Sequence, residues 1–259
     1  DNLFDYLVDD GHGGKVKKDV SDVAVENLKK DGVDVLVILG GDGTLTSARD
    51  FSRKGVNVIG VPKTMDNDLA STDVTYGFIS AMSVGTEFID RLQTTAKSHH
   101  RVICCELMGR DAGYLALWCG IANGAEKILM PEEKDYDEKA LIKDILENKK
   151  RGKKNYIIIN AEGVGDSINM AKRIEDATGI ETRATILGHM QRGGSPTCKD
   201  RVYASTMGAM AVDLLCQGKT NRVVGYKNGQ FIDFDIEEAL AMKKTIPAYQ
   251  YDVAKTLAL

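Results

Sequence analysis

Val33-Asp34-Val35-Leu36-Val37-Ile38-Leu39-Gly40-Gly41-Asp42-Gly43-Thr44 is the stretch whose reading decides the fold. Its first seven residues are apolar except for Asp34, which reads as a strand buried on both faces, the mark of a parallel sheet covered by helices. The glycines end that strand and lead into a helix predicted from about Thr46. In an open α/β sheet such a turn lies on the carboxyl edge, where ligands bind and backbone N–H groups can approach a phosphate at a helix N-terminus. Asp42, inside the turn, is a carboxylate placed to hold the magnesium ion that accompanies polyphosphates. A glycine-rich turn with a capping aspartate reads the same way when taken alone.

Outward from this stretch the pattern repeats. Short β-branched runs at 56–61, 102–105, 156–159 and 184–187 alternate with helical stretches at 75–97, 114–122, 137–148 and 200–216. An earlier helix is capped by Ser21 or Asp19 and ends at Gly32. Residues 1–18, with Asp9-Asp10-Gly11-His12-Gly13-Gly14, read as a loop-rich approach to it. Strands alternating with helices predict mainly parallel sheets covered on both sides.

The composition narrows the function classes. Of 259 residues 43% are hydrophobic and 28% charged, the balance of a globular protein rather than a disordered or fibrous one. Lys plus Arg is 34 against 38 Asp plus Glu, so binding nucleic acid by phosphate neutralisation is not expected. No apolar run reaches the roughly 18–20 residues of a membrane span, and Asp1-Asn2-Leu3-Phe4-Asp5 has no leader character, so the chain reads as cytoplasmic. Five cysteines, the adjacent Cys104 and Cys105 and the scattered Cys119, Cys198 and Cys216, show no ligand spacing; Cys104 and Cys105 point to opposite faces of a strand, and all five read as reduced, structural thiols.

Further motifs follow the other strands. Pro62-Lys63-Thr64-Met65-Asp66-Asn67-Asp68 places two carboxylates beside a lysine and a hydroxyl: a general base, a metal contact and a phosphate partner in one turn. Leu187-Gly188-His189-Met190-Gln191-Arg192-Gly193-Gly194-Ser195-Pro196 offers a histidine and an arginine among glycines, with Arg183 just before its strand. A planar guanidinium suits an anionic substrate group. Met108-Gly109-Arg110 and Ala161-Glu162-Gly163 end two more strands, and Glu162 suits a sugar hydroxyl.

These motifs, in this order, resemble the phosphofructokinase family, from about Val20 to the C-terminus. The resemblance implies two three-layer α/β/α sandwich domains with mainly parallel sheets. A larger phosphoryl-donor domain would take 1–77 and 190–239, and a smaller sugar-phosphate domain 78–189 and 240–259. It implies Mg2+-dependent transfer of the ATP γ-phosphoryl group to the 1-hydroxyl of fructose 6-phosphate. Asp66 would take the hydroxyl proton, Asp42 and Asp68 would serve magnesium, and Arg110 would stabilise the moving phosphoryl group.

Thr64, Met108, Gly109, Glu162, His189 and Arg192 would line the sugar-phosphate site. Arg101 and Arg183 match arginines that reach the 6-phosphate of a neighbouring subunit, which implies a homo-oligomer, a tetramer in the usual bacterial form. Gly41, Asp42, Gly43, Thr44 and Lys63 would meet the donor. Gly43 matches the ATP-dependent type and Lys63 the pyrophosphate-dependent type. An aspartate in place of Gly43 would crowd and repel a nucleotide phosphate, whereas Lys63 only adds a cation, so ATP is the expected donor.

The family's first strand and its phosphate loop have no counterpart in residues 1–18, so a non-catalytic, sugar-phosphate-binding regulatory subunit stands as an alternative beside a pyrophosphate-dependent phosphofructokinase. Lys153, Lys154 and Glu126 match an effector pocket, but Gln93 replaces an expected arginine, which implies a weakened effector response.

Overall fold

The computed structural model describes residues 2–133 and 136–257, so residues 1 and 258–259, the outer ends of the expected domain ranges, lie outside the described residues. In chain order the elements begin with β1 (Tyr6–Asp9), β2 (Lys15–Lys18), α1 (Ser21–Lys30), β3 (Val35–Gly40), α2 (Asp42–Arg53), β4 (Asn57–Thr64) and β5 (Tyr76–Gly77). Then come α3 (Phe78–His99), β6 (Val102–Leu107), α4 (Tyr114–Asn123), β7 (Lys127–Leu129), α5 (Glu138–Lys150), β8 (Tyr156–Ala161), α6 (Ser167–Thr178) and β9 (Thr182–Ile186). The chain closes with α7 (Cys198–Cys216), β10 (Arg222–Lys227), β11 (Gln230–Asp235), α8 (Ile236–Ala241) and α9 (Ala248–Leu257).

The chain divides into two compact units. The first takes Asp1–Thr64, Leu69–Tyr76 and Arg201–Lys244; the second takes Met65–Asp68, Gly77–Asp200 and Thr245–Leu259. The second is the larger in this chain, and the segment 190–200 belongs to it, where the sequence reading placed that segment in the first.

In the first unit β3, β4 and β10 run parallel and β11 returns antiparallel beside β10. Side-chain alternation on β4 builds both faces: Val58 packs with Leu45 and Ala48 of α2 and Ile236 of α8, while Ile59 and Val61 pack with Met207, Ala211 and Leu214 of α7. The reading of residues 33–39 as buried on both faces is corrected here. Among the described residues β3 is the end strand of its sheet, and although Leu36 and Ile38 pack against α2, Val37 is 41% and Leu39 55% exposed. An apolar run encodes a strand, but not the strand's place in the sheet.

In the second unit the sheet order is β7-β8-β6-β9, all parallel. One face packs Ile103, Cys105, Leu107, Ile157 and Ile159 under α3, α4 and α9; the other packs Val102, Cys104 and Ile158 under α5 and α6. Cys104 and Cys105 therefore do point to opposite faces, and burial pushes both thiols, with that of Cys119, up to about 12. Cys198 and Cys216 are exposed rather than structural.

Further corrections concern local structure. Helix α2 starts at Asp42, not Thr46, because Gly41 is extended and its carbonyl already accepts from the Thr44 and Leu45 N–H groups. Residues 6–18 form an antiparallel hairpin, whose strand β2 is exposed throughout. Gln93, read against an effector pocket, donates to the Asn123 carbonyl at 2.5 Å. Neither Ser21 nor Asp19 is the cap of α1, whose N-cap is Val20; the Asp19 carboxylate, just outside it, accepts from the Ser21 hydroxyl and N–H, with Lys54 3.1 Å away, and these contacts hold its pKa down to about 2. Among the described residues no helix is long and apolar enough to cross a membrane.

Ile158 is fully buried, so Ile158→Ala is expected to lower the unfolding free energy by about 2–5 kcal/mol in urea titrations. Val37→Thr, on the exposed face of β3, is expected to stay within about 0.5 kcal/mol of the parent in the same measurement.

Candidate active site

The first unit presents the turn from β3 into α2. A Cβ at Gly40 would lie 2.3 Å from Thr44 Cβ, and one at Gly41 would lie 3.1 Å from Thr64 Cβ, so packing within the chain accounts for both glycines. Gly43 is different: a Cβ there meets nothing within 4 Å, and its φ lies outside the left-handed region. Nothing in the chain itself asks for glycine at this helical position, where alanine is favoured by about 1 kcal/mol. Asp42, Gly43 and Thr44 are exposed on the first turn of α2, which no side chain caps. A helix N-terminus left open in this way attracts anions. Lys63 is exposed near the end of β4, and Thr64 closes that strand.

Among the described residues no three His, Cys, Asp or Glu side chains form a cation cage. A magnesium ion here would rest on the Asp42 carboxylate and on phosphate oxygens, an arrangement usual for this ion, so the residues present fit it.

In the second unit three consecutive backbone N–H groups beyond β6 end on two side chains. Gln191 Oε1 accepts from Met108 at 2.7 Å; Glu162 Oε1 accepts from Gly109 at 3.2 Å and from Arg110. Gly109 has φ 147° and Arg110 φ 54°, so the loop turns through two left-handed residues before Ala112 donates to the Gly109 carbonyl at 3.0 Å. A Cβ at Gly109 would lie 2.5 Å from that Ala112 carbonyl oxygen, which leaves only glycine. Arg192 Nε reaches Met108 Sδ at 3.5 Å, and the Arg192 N–H closes onto the His189 carbonyl at 2.9 Å. The structure thus brings Met108, Gly109, Arg110, Glu162 and Arg192 together, with the exposed His189 one turn away. Glu162, expected at a sugar hydroxyl, spends one oxygen on the loop.

Asp66 and Asp68 flank Asn67, which is 4% exposed with φ 54°, so the two carboxylates leave a tight buried turn. Arg101 and Arg183 are not brought to this cluster. They share Glu181, at 3.2 Å and 2.9 Å, beside the N-terminal ends of β6 and β9. The length of the six-residue β6 puts that edge about 17 Å from the Met108 loop.

Comparison with known proteins completes the picture. The model of the family described as phosphofructokinase matches residues 12–215. This chain belongs to the phosphofructokinase family. It is similar to the ATP-dependent 6-phosphofructokinase of Clostridium botulinum, 50% identical over 235 residues that cover 91% of this chain and 73% of the relative. It is similar too to that of Bacillus mycoides, 48% identical with the same coverage. Its fold superposes on the phosphofructokinase of Saccharomyces cerevisiae with a TM-score of 0.75 at 26% identity, covering 95% of this chain and spanning 37% of the yeast chain. It also superposes on a pyrophosphate-dependent phosphofructokinase from Marinobacter aquaeolei with a TM-score of 0.77 at 22% identity, covering 96% and 74%, a likeness of fold alone.

Within this family member, Gln191 is the site residue that sequence reading passed over. It stands inside a quoted motif, but a buried amide bound to a remote backbone N–H leaves no trace in sequence spacing.

Gly109→Ala is expected to destabilise the chain by about 1–3 kcal/mol in urea unfolding, through a forced change of loop conformation. Gly43→Ala, tested alongside, is expected to leave stability unchanged or raise it.

Proposed function

We propose that this chain is an ATP-dependent 6-phosphofructokinase, transferring the γ-phosphoryl group of ATP to the 1-hydroxyl of fructose 6-phosphate. The observation that carries the donor assignment is Gly43, a glycine with open space on the unoccupied side of its Cα at an uncapped helix N-terminus. The names of the Clostridium and Bacillus relatives support the same reading.

The donor phosphates take the α2 N-terminus, with Gly41 and Gly43 offering backbone N–H groups, Thr44 beside them on the same turn and Lys63 a cation. Asp42 holds magnesium, which supplies charge neutralisation on the phosphates when bound. Thr64 orients the sugar. Asp66, with Asp68 beside it, takes the proton of the 1-hydroxyl as that oxygen attacks phosphorus and ADP leaves. Arg110, fixed by its backbone bond to Glu162, meets the negative charge of the transferring group. His189, Arg192, Met108 and Gly109 receive the sugar phosphate.

Arg101 and Arg183 stand at the opposite sheet edge, so they serve the 6-phosphate of a neighbouring copy, and the working form is a homo-oligomer, a tetramer by family habit. In the effector region Lys153 pairs with Glu126 at 2.9 Å and Gln93 bonds a backbone carbonyl, which leaves fewer cations for a phosphorylated effector and weakens its response.

Turnover with ATP and not pyrophosphate, read as fructose 1,6-bisphosphate formed, is the expected result. The reverse would make Lys63 the better guide, and fructose 6-phosphate binding without turnover would favour a regulatory subunit. Asp66→Asn is expected to lower kcat by orders of magnitude with little change in fructose 6-phosphate affinity; near-normal turnover removes Asp66 from its role.

A further inference from the structure

The interior of the second unit holds one polar side chain whose two ends tell different stories. Gln191 is 3% exposed, and its Oε1 accepts the Met108 N–H at 2.7 Å. Its Nε2 is buried with no hydrogen-bond partner. It lies close to α3, where a Cβ on Gly85 would come within 3.4 Å of it. An unpartnered buried donor opposes folding, so the residue is poorly explained by stability. Its acceptor end, by contrast, secures the first of the three amides that shape the loop bearing Arg110. The next residue in the chain, Arg192, reaches the same Met108 through Sδ at 3.5 Å.

We infer that Gln191 is a positioning residue: its side-chain carbonyl locks the Met108 backbone to the 188–192 turn, so that Met108, Gly109 and Arg192 meet the sugar phosphate in a fixed arrangement. This rests on the function proposed above and deepens it. Gln191 touches no reacting atom; it acts through the loop it holds. Methionine has nearly the same length and shape and no acceptor. Gln191→Met therefore exchanges one unpartnered amide, Nε2, for another, the Met108 N–H, and leaves stability nearly level while releasing the loop. Gln191→Glu keeps the acceptor.

Steady-state kinetics, calorimetric binding of fructose 6-phosphate and thermal unfolding are measured on the parent and both variants. Gln191→Met is expected to raise the KM for fructose 6-phosphate about tenfold or more, to leave the KM for ATP within about twofold, and to keep Tm within about 4 °C. Gln191→Glu is expected to hold the fructose 6-phosphate KM within about threefold of the parent.

An unchanged sugar-phosphate KM in Gln191→Met overturns the inference, and so does an equal rise in both KM values. A Gln191→Met chain that fails to fold overturns it too, since Gln191 is then a stability residue. If Gln191→Glu weakens sugar binding as much as Gln191→Met, the acceptor is not the cause and the inference falls. A parent without turnover sinks the kinase reading instead; calorimetric fructose 6-phosphate affinities then make the same comparison between variants.

Discussion

Two-sided burial of the central strands is the constraint from which the rest of the molecule follows. Every residue of β8 is buried, and β6 is buried at all but Glu106. Strands enclosed in this way have almost no room for ionisable side chains along their length, and a parallel sheet sends all its strand ends the same way. Charged and hydrogen-bonding groups are therefore confined to two rims. Arg101 and Arg183 collect on one rim, while Arg110, Glu162, His189 and Arg192 collect on the other. A chain built like this divides its chemistry by edge before any catalytic detail is added.

The loops on the carboxyl rim meet the cost of turning sharply with borrowed acceptors. Arg110 and Asn67 both sit in the left-handed region, where residues other than glycine are uncommon. Arg110 is held there by the Glu162 carboxylate and by the collision that awaits any side chain at Gly109. Gly163 belongs to the same arrangement, since a Cβ on it would lie 2.5 Å from the Arg110 carbonyl oxygen. Gly109 and Gly163 are demanded by backbone approach, whereas Gly43 is not, and that contrast separates glycines that build the protein from one that leaves space for something else.

Much of this was legible in the residues. The order of strands and helices, the opposite facing of Cys104 and Cys105, and the cluster of motifs at strand ends all follow from periodicity and turn chemistry. What was hidden depends on tertiary placement. Val37 and Leu39 look like core residues, but they are exposed on β3, the end strand of its sheet among the described residues. The β1–β2 hairpin carries Lys15, Lys17 and Lys18 on an exposed strand and so lacks the apolar alternation that would announce it. Gln191 reads as one polar residue among several, because its partner lies 83 positions away.

The split between enclosed and exposed thiols has a practical side. Cys104, Cys105 and Cys119 are buried and held protonated, so a thiol-reactive dye in neutral buffer finds only Cys198 and Cys216 on the folded protein. These two residues mark the first and last positions of α7, a rigid span of about 27 Å. The natural sequence thus carries a built-in spectroscopic ruler, and a third label would report that the interior had opened.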